Sequence, residues 1–516
     1  MARRPQARRR EGAEPRAARA LLTAAAGSPD TRSAAAHGSG SASRTGLAMV
    51  VVMTGVLIAA VDTTIVVLAL PEIQRALHVA LSSVVWVVIG YLLVITLLAT
   101  QVGRLGDMFG RVRMYELGFA VFILGSAACA LAWNETSIIG FRVVQGIGGA
   151  FVTANSGAII ADLFPKERRG RAYGYNSVGW SLGAVLGIVL GGFIVTYISW
   201  RWIFWINVPI GVAALILATR VLKERGQRTQ RRLDVAGMLT LGLGLFGVLW
   251  AMTKLATTSF DATVTGYLTG GLVLLAAFVL IELRQAEPML DLSLFKVPMM
   301  APSLLASFFQ GVANFAVLFL VIMYLQGSRG LTPIHSSLLL VPGYVGGSAI
   351  GPFAGRLADK LGPVIPATAG LAIQVVALFL YAHLSLATGL WLVVLASVVN
   401  GIGASAFFPA NSSAVMKASP PAVFGIASGM LRTFANIGMV FSFALAILIA
   451  SRSISKSLAF AIFVGTTSLH GTLAAAFTAG LHSAFYTSMI FMAVAAVLSA
   501  TRGLSARAGL GLNRPG

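Results

Sequence analysis

The chain has 516 residues and a formal net charge of +21; 57% of it is hydrophobic and only 11% is charged. Soluble domains carry about 25% charged residues, so this chain has too little polar surface to cover a water-soluble protein of its size. The composition excludes a soluble enzyme, a disordered chain and a secreted disulfide scaffold, and it predicts a protein embedded in a membrane.

The N-terminal segment, residues 1–45, is basic. It contains nine arginines and no apolar run long enough to form a core or the hydrophobic region of a secretory signal. We therefore expect a disordered cytoplasmic tail, to which no chemistry is assigned.

From Gly46 onward, apolar stretches long enough to cross a ~30 Å hydrocarbon core recur. The fourteen predicted spans are 46–70, 82–103, 114–133, 136–161, 172–198, 202–220, 234–253, 264–283, 301–326, 335–356, 364–383, 388–414, 424–450 and 479–501. The stretch 457–478 is ambiguous, because glycines and a histidine interrupt it.

The distribution of basic residues tests this count. With both termini in the cytoplasm, thirty of the 38 Lys and Arg residues lie on the cytoplasmic side and six lie outside. This bias is the one expected of a multi-pass protein in the cytoplasmic membrane, and it argues against nucleic acid as a partner.

Two short segments repeat along the chain. The segment Gly103–Gly110 recurs as Gly355–Gly362, and Ala154–Ser156 recurs as Ala410–Ser412. The repeat predicts an all-α protein of two six-helix bundles, the parallel-repeat plan of many transporters. The predicted domains are the tail 1–45, a bundle at 46–225, two linker spans with their loops at 226–298, a second bundle at 299–503 and a tail at 504–516.

Asp62 is the acidic residue that lies well inside a predicted span. A carboxylate within the membrane is costly unless it faces a cavity, pairs with another group or takes up a proton. Alternating exposure of Asp62 to the two sides would load and release a proton. The alternative is a structural hydrogen bond to neighbouring backbone or to the hydroxyls of Thr63 and Thr64.

Arg142 is the predicted counter-ion of Asp62. It lies six residues into the fourth predicted span and begins a helical face that continues through Gln145, Gly149 and Thr153. Because arginine does not usefully deprotonate, its role would be to tune a carboxyl group or a water path. The alternative is snorkelling to the membrane interface.

The repeated loops suggest a mechanical role. Gly103, Gly106 and Gly110 permit a tight turn after the second span, while Asp107 can cap a helix or pair with Arg111 or Arg113. The copy in the second half, with Gly355, Asp359 and Gly362, would play a parallel part. A plain solvated turn is the alternative for both.

The fifth span carries glycines at a spacing of four. Gly179, Gly183, Gly187 and Gly191, followed by Gly192, would allow close approach of a neighbouring helix. Close packing and a role in gating are equally open from the sequence.

Four segments together resemble the major facilitator superfamily, and specifically its fourteen-span drug:proton antiporters. They are Asp62–Pro71, Gly103–Arg113, Arg142–Gly146 and Trp200–Pro209. The resemblance covers roughly residues 48 to 500. It implies that Asp62 serves in proton coupling, that Arg142 takes part in proton transfer and that the Gly103–Arg113 loop latches the two bundles. The chain departs from the family pattern at Val67, which is usually Asn, and at Ile188, where the antiporter signature has Pro.

Candidate residues of the substrate path are polar side chains among aromatic and methionine residues: Gln145, Asn314, Tyr344 and Asn400. We expect no cofactor, no metal and no catalytic residue, since the single cysteine and six scattered histidines show no ligand spacing. The expected partners are a small lipophilic substrate, the proton and the lipid bilayer, and we expect a monomer.

These features favour proton-coupled export of lipophilic compounds, such as an antibiotic, a drug or a toxic metabolite, by alternating access. A facilitator or proton symporter of a small metabolite is the first alternative. An embedded enzyme or receptor is the second, but no nucleophile–base pair, metal constellation or sizeable soluble domain supports it.

Overall fold

The computed structural model describes residues 30–78, 83–164, 166–224, 232–419, 424–450 and 472–511. The chain divides into two compact units, residues 1–49 and residues 50–516. In the described ranges the regular structure is helical, and fourteen of the helices are long and apolar enough to cross a membrane. The all-α prediction and the predicted number of spans are confirmed.

The helices fall into three groups along the chain. The first six are α1 (Asp30–Leu77), α2 (Trp86–Phe109), α3 (Arg111–Ala130), α4 (Glu135–Leu163), α5 (Lys166–Tyr197) and α6 (Trp202–Val221, with its first turn at Trp202–Trp205). The linker pair is α7 (Val235–Thr257) and α8 (Ala262–Glu282). The last six are α9 (Met300–Met323), α10 (Pro333–Leu361), α11 (Val364–Ala382), α12 (Trp391–Ala418), α13 (Phe424–Ala450) and α14 (Thr472–Gly511).

Several helices begin at a polar residue that satisfies their first backbone N–H groups. The Asn134 side chain accepts a hydrogen bond from the backbone N–H of Ser137 (2.8 Å) at the start of α4, completing a capping box. Asp234 and Asp261 cap the two linker helices in the same way. Local sequence therefore sets these starts.

Helix packing repeats between the two halves. In the first half α4 packs against α2 and α3, and in the second half α12 packs against α10 and α11. Glycines allow the close approaches: a Cβ on Gly125 would lie 2.6 Å from Gln145 Cα, and one on Gly343 would lie 2.5 Å from Ser397 O. The halves meet where α5 packs against α10 and α2 packs against α13, while α7 packs against α8 and α13.

Large apolar side chains lie on the outer surface of the helices. Leu124 is 68% exposed, and Val273 and Phe353 are nearly as exposed. Exposed apolar side chains in such numbers are unfavourable in water and indicate a surface that faces lipid.

Two helices extend into segments that were predicted to be tails. α1 begins at Asp30, within the segment predicted as a disordered tail, because residues 30–45 contain no proline to stop the helix. α14 continues to Gly511, through most of the predicted C-terminal tail, for the same reason. Most of the ambiguous stretch 457–478, like residues 1–29, lies outside the described residues.

Candidate functional site

The Asp62 carboxylate lies inside the first six helices and has no solvent exposure. Its Oδ2 accepts a hydrogen bond from Arg142 Nη1 at 2.6 Å, and the two side chains form an ion pair. Its Oδ1 accepts from Gln145 Nε2 at 2.8 Å and from Asn207 Nδ2 at 3.4 Å. Three donors from α4 and α6 therefore satisfy one carboxylate on α1.

The neighbouring threonines do not bind this carboxylate. Thr63 Oγ1 donates to Ala59 O at 2.8 Å, and Thr64 Oγ1 donates to Ala60 O at 3.1 Å. Both hydroxyls thus bind the backbone of the preceding turn, so the alternative of a structural Asp62–threonine hydrogen bond is wrong.

Arg142 is held in place by α2 as well as by its counter-ion. Its Nε donates to Val87 O at 2.8 Å, and its Cζ lies 4.0 Å from the centre of the Tyr91 ring. The side chain is only 1% exposed, so it does not snorkel to an interface. The planar guanidinium binds a carbonyl and a carboxylate at once and stacks on an aromatic ring, which a lysine would not reproduce.

Gln145 joins the ion pair to α3. Its Oε1 accepts from Arg142 Nη1 at 2.6 Å, and its Nε2 donates to Ser126 Oγ at 2.7 Å as well as to Asp62. Cys129 Sγ also donates to Gln145 Oε1, at 3.7 Å. Gln145, a candidate for the substrate path, is a fully buried bridge within the ionic network.

Sequence reasoning identified the ion pair but assigned no role to Ser126, Asn207 or Tyr91. Asn207 did lie within one of the motifs, Trp200–Pro209, as a polar residue in an apolar run. In the structure Asn207 lies beside Asp62, although the two residues are 145 positions apart along the chain.

The predicted gating loop is mostly helical. Gly103 and Asp107 lie within α2, and the chain reverses at Gly110 alone, where φ is +114°. The prediction of a turn spread over Gly103, Gly106 and Gly110 is therefore wrong. Gly110 alone is enough to reverse the chain, because it adopts a backbone conformation that other residues rarely adopt. In the second half Gly355 and Asp359 likewise lie in α10, and Gly362 ends it with a φ of +81°.

Arg111 is the centre of the polar contacts of this loop. Its Nη2 donates to Asp107 Oδ1 at 2.8 Å, so Asp107 pairs with Arg111, one of its two predicted partners. Its Nη1 donates to Asp162 Oδ1 at 2.7 Å. The second contact joins α3 to the end of α4 and was not foreseen. These two contacts both lie within the first six helices.

Glu224, which follows α6, caps the start of α3. Its carboxylate accepts from the backbone N–H groups of Arg111 at 2.9 Å and Val112 at 3.2 Å. A negative charge at a helix N-terminus is favourable, because the first N–H groups have no partner within the helix. No residue spacing along the chain indicates this contact.

We expect Glu224→Ala to lower the free energy of unfolding by about 1 kcal/mol, since it removes this cap. The thermal unfolding midpoint of the purified protein in detergent measures the effect. Lys223→Ala, one residue earlier, is the matched control and should leave the midpoint unchanged. Equal midpoints for Glu224→Ala and the control would show that the cap contributes nothing.

The glycine stripe of α5 packs against α1. A Cβ on Gly183 would lie 2.6 Å from Leu57 O, one on Gly187 would lie 2.7 Å from Val61 O, and one on Gly191 would lie 2.9 Å from Ile65 Cγ1. Gly192 instead faces α10, where a Cβ would lie 3.0 Å from Pro333 O. The stripe therefore brings α5 against the segment of α1 that carries Asp62.

Two of the proposed substrate-path residues meet in the second half. Gln374 Nε2 on α11 donates to Asn314 Oδ1 and to Asn400 Oδ1, each at 3.2 Å. The buried Gln374 was not predicted, since a glutamine in an apolar run gives no sign of which helix it faces. Tyr344, on α10, takes no part in this group of amides.

The comparisons with known proteins agree with this architecture. A family model described as the Major Facilitator Superfamily matches residues 52–443 and, in a second match, 303–508. The tetracenomycin C resistance and export protein of Streptomyces glaucescens is 31% identical over 78% of this chain and 76% of its own. The riboflavin transporter RibZ of Clostridioides difficile is 29% identical over 80% of this chain and 89% of its own.

Solved structures show the same fold. A bacterial homologue of the human lysosomal transporter Spinster, in an inward-facing conformation, superposes with a TM-score of 0.61 at 16% identity. The match covers 89% of this chain and 97% of that one. The chain is a multi-pass membrane transporter rather than an enzyme, and it belongs to the Major Facilitator Superfamily.

Proposed function

We propose that this protein exports lipophilic small molecules across the cytoplasmic membrane in exchange for protons, with Asp62 as the proton carrier. The observation that carries the proposal is the buried Asp62–Arg142 ion pair, which Gln145 bridges (Arg142 Nη1 to Asp62 Oδ2, 2.6 Å). Carboxylates at membrane depth are rare, and where they occur they commonly mark proton relays.

The geometry suggests how proton binding changes the site. In the ionised state both Asp62 oxygens accept hydrogen bonds, and Arg142 is the matching cation. A proton taken from water on one side would bond to an Asp62 oxygen, neutralise it and leave Arg142 without a counter-ion. Because the two protonation states favour different surroundings for Arg142, they would favour different conformations, which is the requirement for coupling.

The second half would supply contacts to the substrate. Asn314, Gln374 and Asn400 present neutral amides, and a carboxylate near them would have been expected for a dicationic substrate. Lipophilic compounds that are neutral, anionic or singly charged fit this lining better. Export of such compounds is consistent with the tetracenomycin C resistance and export named for the Streptomyces relative.

A second candidate function is transport of a small metabolite by facilitation or proton symport. The relative named as a riboflavin transporter favours it, as does Ile188 in the position where the antiporter signature has proline. Both functions would use the same fold, with the proton acting as coupling ion in export and in symport.

Transport in proteoliposomes with an acidic interior separates these candidates. Antiport predicts that protons leaving the vesicle drive uptake of a lipophilic fluorescent cation or a neutral dye. Symport predicts dye efflux under the same gradient, and a facilitator predicts dye movement that does not depend on the gradient.

The Asp62→Asn variant tests the carrier itself. We expect gradient-driven uptake to fall to the level of protein-free vesicles, because asparagine cannot take up the proton. Glu72→Gln is the matched control on the same helix, since Glu72 is part of an exposed ion pair with Arg75. Gradient-driven transport that survives in Asp62→Asn would overturn the assignment of Asp62.

A further inference from the structure

The linker helices carry a pair of buried carboxylates, at the end where they meet α2. Asp234 caps the start of α7 and is 0% exposed, and Glu282 ends α8 and is 3% exposed. They lie far along the chain from Asp62 and take no part in its network. The proposed transport cycle leaves both without a role.

Each carboxylate binds backbone N–H groups of the segment that follows α8. Asp234 Oδ2 accepts from Met289 N at 3.1 Å, while its Oδ1 accepts from Gly237 N at 2.8 Å. Glu282 Oε2 accepts from Leu290 N at 3.1 Å. The two side chains therefore fold the chain after α8 back onto the start of α7.

One oxygen of each carboxylate lies close to Gly237. A Cβ on that glycine would contact Asp234 Oδ2 and lie 2.8 Å from Glu282 Oε1. Among the residues that the structure describes, the four ion pairs are Glu72–Arg75, Asp107–Arg111, Asp162–Arg111 and Asp62–Arg142. None of these four neutralises Asp234 or Glu282.

One oxygen of this pair has no hydrogen-bond partner in the described part of the chain. Glu282 Oε1 is fully buried and unsatisfied, and so is Nε2 of the adjacent Gln101, whose Oε1 accepts from Asp234 N at 3.4 Å. A buried carboxylate oxygen without a donor is expensive. Two neighbouring buried carboxylates also repel each other, and a single proton between them removes both costs.

We propose that Asp234 and Glu282 form a proton-binding site, in which one proton on Glu282 Oε1 is donated in a hydrogen bond to Asp234 Oδ2. The pair then carries one negative charge instead of two. Release of the proton restores the second charge, and the two side chains separate.

The site controls how the linker helices are fastened to α2. Arg104 on α2 donates from Nη1 to Arg232 O at 2.9 Å and to Glu287 O at 3.1 Å, and from Nη2 to Pro288 O. These carbonyls belong to the two segments that the carboxyl pair holds together. Loss of the proton would loosen these segments and weaken the hydrogen bonds that Arg104 donates to them.

Among the residues that the structure describes, few charged groups surround the pair. Arg104 approaches from α2, and Arg232 and Glu287 lie in the flanking segments, where Glu287 Oε2 accepts from Arg232 N at 3.0 Å. On α13, which also packs against α7, the charged residue is Arg432, whose Nη1 donates to Thr153 O at 3.4 Å. Of the cations in the described ranges, Arg104 is therefore expected to respond most to the charge of the pair.

Infrared difference spectroscopy on the full-length protein in lipid nanodiscs tests the site directly. We expect the wild type at neutral pH to show the carbonyl band of a protonated carboxyl group, which disappears as the pH is raised. Glu282→Gln and Asp234→Asn should each lose this band. Glu287→Gln, in the same segment, is the matched control and should keep it.

If Asp234→Asn fails to fold, Glu282→Gln still tests the proposed proton-binding site. Glu282→Gln preserves the shape of the side chain and supplies an N–H that replaces the proposed O–H donor, so we expect it to fold. A band that persists in folded Glu282→Gln would overturn the proposal. Because the measurement needs no substrate or gradient, it stands apart from the test of proton-driven export.

A second measurement follows the consequence for the linker helices. Spin labels at Phe109 on α2 and Leu239 on α7, both exposed, report the distance between these helices. In the wild type the distribution of distances between the labels should broaden as the pH rises through the range in which the infrared carbonyl band disappears. In Glu282→Gln it should stay narrow at every pH, and identical behaviour of the two proteins would contradict the model of a proton-dependent fastening.

Discussion

Replacing Arg142 by leucine is expected to lower the free energy of unfolding by about 3–5 kcal/mol, because it leaves the Asp62 carboxylate buried without its counter-ion. The loss extends beyond the ion pair. Val87 O loses its hydrogen bond from Nε, and Gln145 Oε1 loses its bond from Nη1. Chemical denaturation of the purified protein in detergent measures the difference.

The double variant Asp62→Asn/Arg142→Leu separates pairing from packing. Once the negative charge is gone, removal of the arginine no longer strands a charge, so much of the stability lost in the single variant should return. Arg75→Leu, which disrupts an exposed pair with Glu72, is the control and should cost no more than about 1 kcal/mol. Equal losses in the single and double variants would show that the ion pair contributes little.

Replacing Gly187 by alanine is expected to destabilise the protein by about 1–3 kcal/mol and to reduce transport, because the added methyl group forces α5 away from α1. Its Cβ would lie 2.7 Å from Val61 O and would also meet Thr64 Oγ1. Backbone atoms cannot turn aside as a flexible side chain can, so the helices must separate. Since Val61 directly precedes Asp62, the shift also moves the carboxylate away from Arg142.

Gly179→Ala, two turns earlier on the same helix, is the matched control. A Cβ there would lie 3.4 Å from Met53 O, an ordinary van der Waals contact. Alanine favours a helix over glycine by about 1 kcal/mol, so this variant should be at least as stable as the wild type. Thermal unfolding in detergent compares the two, and the same shift in both would contradict a specific close approach at Gly187.

Much of the fold was predictable because the membrane imposes a simple rule. Each span must be apolar over about 20 residues, so fourteen spans could be counted along the chain before any packing was known. Asp62 and Arg142 stood out for the same reason, as charges placed where charge is costly. Their pairing was inferred because each needs an opposite charge.

Buried acids at the ends of spans were harder to recognise. Asp234 and Glu282 lie at the edges of their predicted spans, where a carboxylate is normally exposed to water, and neither attracted attention. The structure buries both, because the segment after α8 folds over the start of α7. Sequence position alone does not tell whether a helix end is covered.

The number of spans, the repeat of the two halves, and the charges and glycines that need an explanation can all be read from the order of residues. Which groups meet depends on how the helices pack. Gln145 binds Asp62, Glu224 caps α3, and Gln374 joins Asn314 to Asn400. The physical reason is that helical periodicity defines the face on which a side chain lies, while the rotation and neighbours of that helix depend on packing between segments far apart in the chain.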